Sequence, residues 1–164
     1  MITIRRATDA DTPPMAEILN ALIAEGSTTA LAKPVTANDL LQKMQAGGAK
    51  AAWHVAETED GEVVGFQWLA PYPTLPPEAG DIATFAKMGK TGLGIGTKLF
   101  TATKQAAQDL GYDWINANIR SDNTSGLRYY HSLGFVDYDS VPNVQLDDGR
   151  IITKTLKRFD LKEV

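Results

Sequence analysis

Apolar positions along the chain change period several times, and each change marks an element. Met15, Ile18, Leu19, Leu22 and Ile23 recur at three- and four-residue spacing, which predicts one buried helical face reached through TDADTPP from a short opening strand, MITIRRA. VTANDLLQKMQAG predicts a second helix, with Thr36 or Asn38 as its cap and Gly47-Gly48 as its stop. AAWHVAET and EVVGFQWLA are apolar-rich runs of strand length, and Asp60-Gly61 between them is a hairpin signal, so the two should pair antiparallel. PYPTLPPEAG carries four prolines. It suits neither a helix nor a sheet interior and should be a loop leading into the strand GDIATFAK.

The helical period returns at Ile95 and continues through Leu99, Ala102, Ala106 and Leu110, with Gly111 at the exit and the strand YDWINANIR beyond. A short helix should follow, capped within SDN (121–123) and running to Leu133, where Gly134 ends it. FVDYDS and, after a loop, RIITKTLKRFDL complete the strands. The resulting order β, α, α, β, β, β, α, β, α, β, β is rich in hairpins and has only one clear strand, helix, strand crossover. The expected fold class is α/β: a single domain over residues 1–164 with a mixed, mostly antiparallel central sheet flanked by helices. Its one parallel crossover falls at the glycine-rich segment.

At 164 residues the chain is long enough for one proper core without staples. It has no cysteine and two histidines, His54 and His131, so disulfides, a thiolate nucleophile and a histidine- or cysteine-rich metal site are not expected. The formal charge of −4 is spread without long runs, which argues against a nucleic-acid partner and leaves a small molecule. No stretch has the length and apolarity of a membrane span or signal peptide, and a soluble cytoplasmic protein is expected.

The segment GKTGLGIGTKLF (89–100) places four glycines directly before a helix. Residues without Cβ let amide N–H groups converge on an anion where the helix dipole also favours negative charge. A P-loop would need a further glycine at position 84, which is Thr84. The dinucleotide fingerprint needs GxGxxG, whereas Gly92, Gly94 and Gly96 give GxGxG after a run of hairpins. A phosphate-bearing ligand fits, and a glycine cluster that merely turns the chain is the competing reading.

A second motif, NTSGLRYYHSLGF (123–135), changes that balance. Together the two segments resemble the GNAT superfamily of acyl-CoA N-acyltransferases, whose cofactor loop reads [Q/R]xxGxG/A and whose next helix often reads NxxAxxLYxxxGF. Gly94 and Gly96 match the small positions, Asn123 the asparagine, Tyr130 the tyrosine seven residues later, and Gly134-Phe135 the close. Thr91 departs from the pattern, standing where the family has glutamine or arginine, and Lys90, Lys98 or Arg128 could supply positive charge to the pyrophosphate or the ribose phosphate. The STT and PVT pieces before the second helix resemble the phosphinothricin and methionine sulfoximine acetyltransferase branch.

The resemblance covers nearly the whole chain and implies acetyl-CoA as co-substrate, no metal, a small-molecule amine as acceptor, and a homodimer. It implies coenzyme contacts at Phe85, Ala86, Thr91, Gly92, Leu93, Gly94, Ile95, Gly96, Thr97, Asn123 and Tyr130, with a backbone N–H near Phe85 or Ala86 polarising the thioester. Acetyl transfer needs a neutral amine, a held carbonyl and a proton for the departing thiolate. Tyr130 is the proton donor that the family places near the sulfur, and Tyr129, about a hundred degrees round the helix, should belong to the core.

Asp81 opens the strand before the glycine loop, where amino-acid acetyltransferases of this family carry a carboxylate that drains the amine's proton through water. Alternation sets it on one face with Ala83, Phe85 and Lys87. Glu78 and His54 are reserve bases, and Asn116 or Asn118 could hydrogen-bond the substrate or the pantetheine. The acceptor pocket is expected from EGSTTALAKPVT, Tyr72 and the segment after Phe135. An N-acetyltransferase acting on an amino acid or analogue is the leading reading. A protein N-terminus or lysine acceptor is the near alternative, and a non-catalytic acyl-CoA-binding module is the alternative of another class.

Overall fold

The computed structural model describes residues 1–90 and 93–162. Among the described residues seven strands form one sheet: β1 (Thr3–Arg6), β2 (Ala52–Glu57), β3 (Val63–Ala70), β4 (Ala79–Ala86), β5 (Trp114–Arg120), β6 (Val136–Gln145) and β7 (Ile151–Asp160). The helices are α1 (Thr12–Glu25), α2 (Ala37–Ala46), α3 (Ile95–Asp109) and α4 (Thr124–Leu133). Element order and kind match the periodicity, with two short 3-10 turns added before α1 and after α2. Thr36, not Asn38, caps α2, its hydroxyl accepting from the Asp39 N–H at 3.0 Å while the Asp39 carboxylate returns to the Thr36 N–H.

The sheet order is β1-β2-β3-β4-β5-β7-β6, antiparallel everywhere except between β4 and β5. Period-two alternation sends each strand's side chains to two helical layers. On one side α1 and α2 cover Trp53, Val55, Phe66, Trp68 and Phe85. On the other, α3 and α4 cover Leu69, Ile82, Ile115, Ala117 and Ile119, with Phe100, Tyr130 and Phe135 between. Each fully buried Leu or Phe contributes about 1.5–3 kcal/mol, so each layer adds to the stability of the sheet between them.

The parallel pair is short. Residues 79–82 of β4 meet residues 114–117 of β5, and there the mutual ladder stops. Beyond it β4 stays with β3 as far as Ala86 opposite Gly65, while β5 stays with β7 as far as Arg120 opposite Lys154. The two strands therefore part toward their C-terminal ends and leave a notch.

Backbone groups alternate sides along a strand, and the Lys87 N–H donates to the Val64 carbonyl at 2.8 Å. Phe85 and Ala83 accordingly turn their amides to β3, and Thr84 and Ala86 turn theirs into the notch. β6 runs further than expected from its sequence, through Pro142 and Asn143, whose φ is 58°, with two register irregularities. It can do so because it is an edge strand, where a proline removes no ladder bond on the open side. Among the described residues no helix is long and apolar enough to cross a membrane.

Candidate active site

The glycine segment joins the open end of β4 to α3. Thr91 and Gly92 lie outside the described residues. Gly94, at φ 70°, is the N-cap of α3, and this left-handed conformation is what glycine permits there. The first helical bond runs from the Lys98 N–H to the Gly94 carbonyl at 3.0 Å, which leaves the amides of Ile95, Gly96 and Thr97 as first-turn donors without intrahelical partners. Leu93 is exposed, at 49% of its free surface, and Ile95 is buried. Lys98 and Arg128 are exposed, and Lys90 partly so.

Gly96 lacks a side chain for a different reason. A Cβ there would lie 2.5 Å from Cε1 of Tyr129, so the ring occupies the space a methyl group would need. Tyr129 donates its hydroxyl proton to the Gly96 carbonyl at 2.7 Å and accepts from Gln67 Nε2 at 3.1 Å. Burial pushes its phenol up to about 12, with the Gln67 bond and the nearby Thr84 hydroxyl pulling the other way.

Tyr130 is buried between Phe135 and Tyr129, with ring centroids at 5.1 and 4.8 Å. Its hydroxyl lies 2.8 Å from Thr84 Oγ1. Burial raises this phenol far above the ordinary tyrosine value, and the charges of Tyr129 and Asp81 add to the rise while Thr84 opposes it. Tyr129 packs its ring against the core as expected, and the two tyrosines also bring both hydroxyls to one polar cluster on β3 and β4. Side chains on a helix slant toward its N-terminus, so neighbours can reach the same strands beneath.

Asp81 sits at the closed end of the notch, half-buried, on the sheet side facing α1 and α2; Ala83 and Phe85 pack into that layer as alternation requires. Its Oδ1 accepts from Asn116 Nδ2 at 2.9 Å, and Asn116 Oδ1 in turn accepts from the Tyr138 hydroxyl. Burial pushes the carboxyl up to about 6, with the Asn116 bond and the charges of Lys43 and Lys154 acting against that. A carboxylate at that value is ionised at neutral pH and still basic enough to take a proton.

The reserve bases are placed elsewhere. His54 is buried on the α3 side of the sheet, and burial first, then the charge of Arg6, lowers it to about 4. Glu78 is exposed on the loop at the closed end. Asn116 joins Asp81, whereas Asn118 points to solvent. Phe85 keeps its side chain in the α1–α2 layer and its amide on β3, so Ala86 is the one of the pair that offers an N–H to the notch.

Asn123 caps α4, accepting from the Gly126 N–H at 3.0 Å and donating to the Thr28 carbonyl at 3.2 Å. Arg120, buried, donates to the Gly26 and Thr29 carbonyls at 2.7 and 3.2 Å and pairs with Asp122. Asn20 brackets Val35 with two bonds of 2.8 Å. The loop between α1 and α2 is therefore tied down over the end of β5 beside the notch. Among the described residues no group of three or more His, Asp or Glu is arranged to hold a metal.

Gln67 and Thr84 were not singled out from sequence. Gln67 carried a signal all the same: it is the one amide in the apolar run EVVGFQWLA, and it is fully buried.

Residues 1–136 match the family model described as an acetyltransferase (GNAT) domain. Across 99% of this chain and 96% of its own length, the L-methionine sulfoximine/L-methionine sulfone acetyltransferase of Salmonella typhimurium is 24% identical. The L-amino acid N-acyltransferase MnaT of Escherichia coli is 25% identical over 99% of this chain and 95% of its own. Among solved structures, Salmonella typhimurium yncA with its cofactor acetyl-CoA superposes with a TM-score of 0.88 at 25% identity, covering 99% of this chain and 95% of that one.

Proposed function

The chain belongs to the GNAT acetyltransferases, and from that premise we propose that it moves an acetyl group from acetyl-CoA to the primary amine of an amino acid or amino-acid analogue. The observation that carries the reading is the notch itself. Its β4 wall turns the Ala86 and Thr84 amides inward, a glycine-capped helix opens at its mouth, and Tyr130 and Asp81 stand on opposite sides of the sheet along it.

Bound acetyl-CoA would supply the activated acetyl thioester. The Ile95, Gly96 and Thr97 amides are the natural seat for its pyrophosphate, with Leu93 and Gly94 leading into them. In this reading Thr91 and Gly92 are further coenzyme contacts, and Asn123 serves the coenzyme by setting where α4 begins. The Ala86 N–H donates to the thioester oxygen, where negative charge grows as the amine attacks. Asp81 accepts the amine's proton through water, and Tyr130 gives its proton to the sulfur as the carbon–sulfur bond breaks.

Two relatives named for methionine sulfoximine, methionine sulfone and L-amino acids support an amino-acid acceptor. The charges of Lys43 and Lys154, felt at Asp81, would favour a free carboxylate beside the reacting amine. We read residues 1–164 as one acetyltransferase domain and assign it a homodimer by family likeness.

Thermal melting with acetyl-CoA, CoA, ATP and NAD tests the coenzyme. A ligand at a hundred times its Kd adds about 2.7 kcal/mol of stability, and stabilisation by ATP or NAD alone would sink the reading. Thiol release is then followed with L-amino acids, their amides and short peptides. Free amino acids should be preferred; equal use of peptides would point to a protein N-terminus or lysine, and no thiol release with any amine to a binding module.

A further inference from the structure

Four side chains between α4 and the sheet form a hydrogen-bond chain whose direction follows from one end as far as Thr84. The Gly96 carbonyl can only accept, so the Tyr129 hydroxyl, 2.7 Å away, must spend its proton there. Tyr129 Oη can then only accept from Gln67 at 3.1 Å, which requires the amide nitrogen of Gln67, not its oxygen, to face it. The second N–H of that nitrogen meets Thr84 Oγ1 at 2.8 Å. Thr84 therefore accepts from Gln67, and its own proton is available to Tyr130 Oη, also at 2.8 Å. This orientation leaves Gln67 Oε1 buried without a partner, so it is held by the neighbours' demands and not by the amide's own preference.

We propose that Thr84 and Gln67 are positioning residues for acetyl transfer: Thr84 donates to Tyr130, freeing the phenol's proton to point into the notch, and Gln67 holds Thr84 in that donor role. Were Tyr130 to donate to Thr84 instead, its proton would be occupied when the sulfur needed it. With Thr84 as the donor, the departing thiolate takes the Tyr130 proton, and the oxygen left behind keeps the Thr84 O–H, a bond that strengthens as charge develops. The same chain ties Tyr130 to the first turn of α3, so the coenzyme-binding helix and the proton donor share one registration.

The inference rests on Tyr130 acting as proton donor, and a double-mutant cycle separates the two ideas. Full-length Thr84→Val, Thr84→Ser, Tyr130→Phe and the Thr84→Val/Tyr130→Phe pair are compared for kcat and for the KM of acetyl-CoA, with melting temperature measured on the same samples. Thr84→Val should lower kcat on the order of tenfold, the scale of one hydrogen bond to a group gaining charge, and leave KM within about twofold. Thr84→Ser should restore most of the rate. In the Tyr130→Phe background Thr84→Val should cost almost nothing further, because the proton it positions is gone.

Full additivity of the two losses, or wild-type kcat in Thr84→Val, would overturn the chain while leaving Tyr130's role intact. Wild-type kcat in Tyr130→Phe would remove the proton-donor reading itself. Should Thr84→Val not fold, Gln67→Met takes its place with the same expectation: a lowered kcat with Tyr130 present and no added loss without it. Additive losses there would again refute the proposal.

Discussion

Replacing Gly96 by alanine should destabilise the protein, although glycine to alanine inside a helix ordinarily stabilises it. Helix propensity alone would favour the change by about 1 kcal/mol, somewhat less in a first turn. The added methyl carbon, however, would sit 2.5 Å from Tyr129 Cε1, 3.0 Å from Cζ and 3.2 Å from Oη. That ring is held by Gln67 and by the Gly96 carbonyl and packs against Tyr130, so it cannot swing aside freely. Overpacking of this kind costs about 1–3 kcal/mol, and displacing the ring forfeits a hydrogen bond worth about 1 kcal/mol. The net should be a loss of about 2 kcal/mol, or roughly 4–8 °C in melting temperature for a chain of this size.

Scanning calorimetry on the ligand-free protein checks the magnitude. Titration calorimetry with acetyl-CoA should show weaker binding, since the first-turn amides of α3 move with the ring. In a Tyr129→Ala background the same substitution should lose its cost, because the space is then open. A Gly96→Ala variant that melts higher than the parent with Tyr129 in place would refute the reasoning and leave Gly96 as an ordinary helical glycine.

Tyr130→Phe should spare acetyl-CoA binding and slow turnover about a hundredfold, the low end for general acid-base catalysis, as judged by steady-state kinetics beside calorimetric affinity. Asp81→Asn should lower the rate most where the amine is protonated, with partial recovery at high pH, whereas the parent's rate should fall as pH drops through about 6; a uniform loss at all pH values would indicate substrate positioning instead. The same variant should gain stability. A carboxyl raised from 3.8 to about 6 in the folded protein loses folding free energy as pH climbs between those values, so Asp81→Asn should be the more stable above pH 6, by up to about 3 kcal/mol, and no different near pH 3. For His54 the sign is reversed: lowered from 6.5 to about 4, it contributes stability above pH 6.5 that is lost as pH falls toward 4, and His54→Gln should flatten the urea midpoint over that window.

The helices and strands were legible because each rests on local periodicity and punctuation. Met15, Leu19 and Ile23 mark their own buried face, Asp60-Gly61 marks its own hairpin, and Gly94 marks the turn into α3 wherever that helix goes. The pairing of Asn123 with Tyr130 is likewise a matter of spacing along one helix. From sequence β6 reads shorter than it is, because Pro142 and Asn143 suit a loop unless the strand is known to lie at an edge.

What sequence could not decide concerns groups far apart in the chain. Which amide of Phe85 and Ala86 faces the notch depends on the β3–β4 register, since one residue of slip would exchange them. Thr84 meets Gln67 across 17 residues and Tyr130 across 46, and Gln67 meets Tyr129 across 62, contacts that exist only once α4 lies over β3 and β4. Sequence by itself determined the elements, their faces and the two motifs, because those depend on neighbours within a helical turn or a strand pair. The tertiary structure alone decided why Gly96 must lack a side chain, which asparagine reaches Asp81 and what holds Tyr130, because distances across a sheet are set by the packing of whole elements and carry no fixed spacing along the chain.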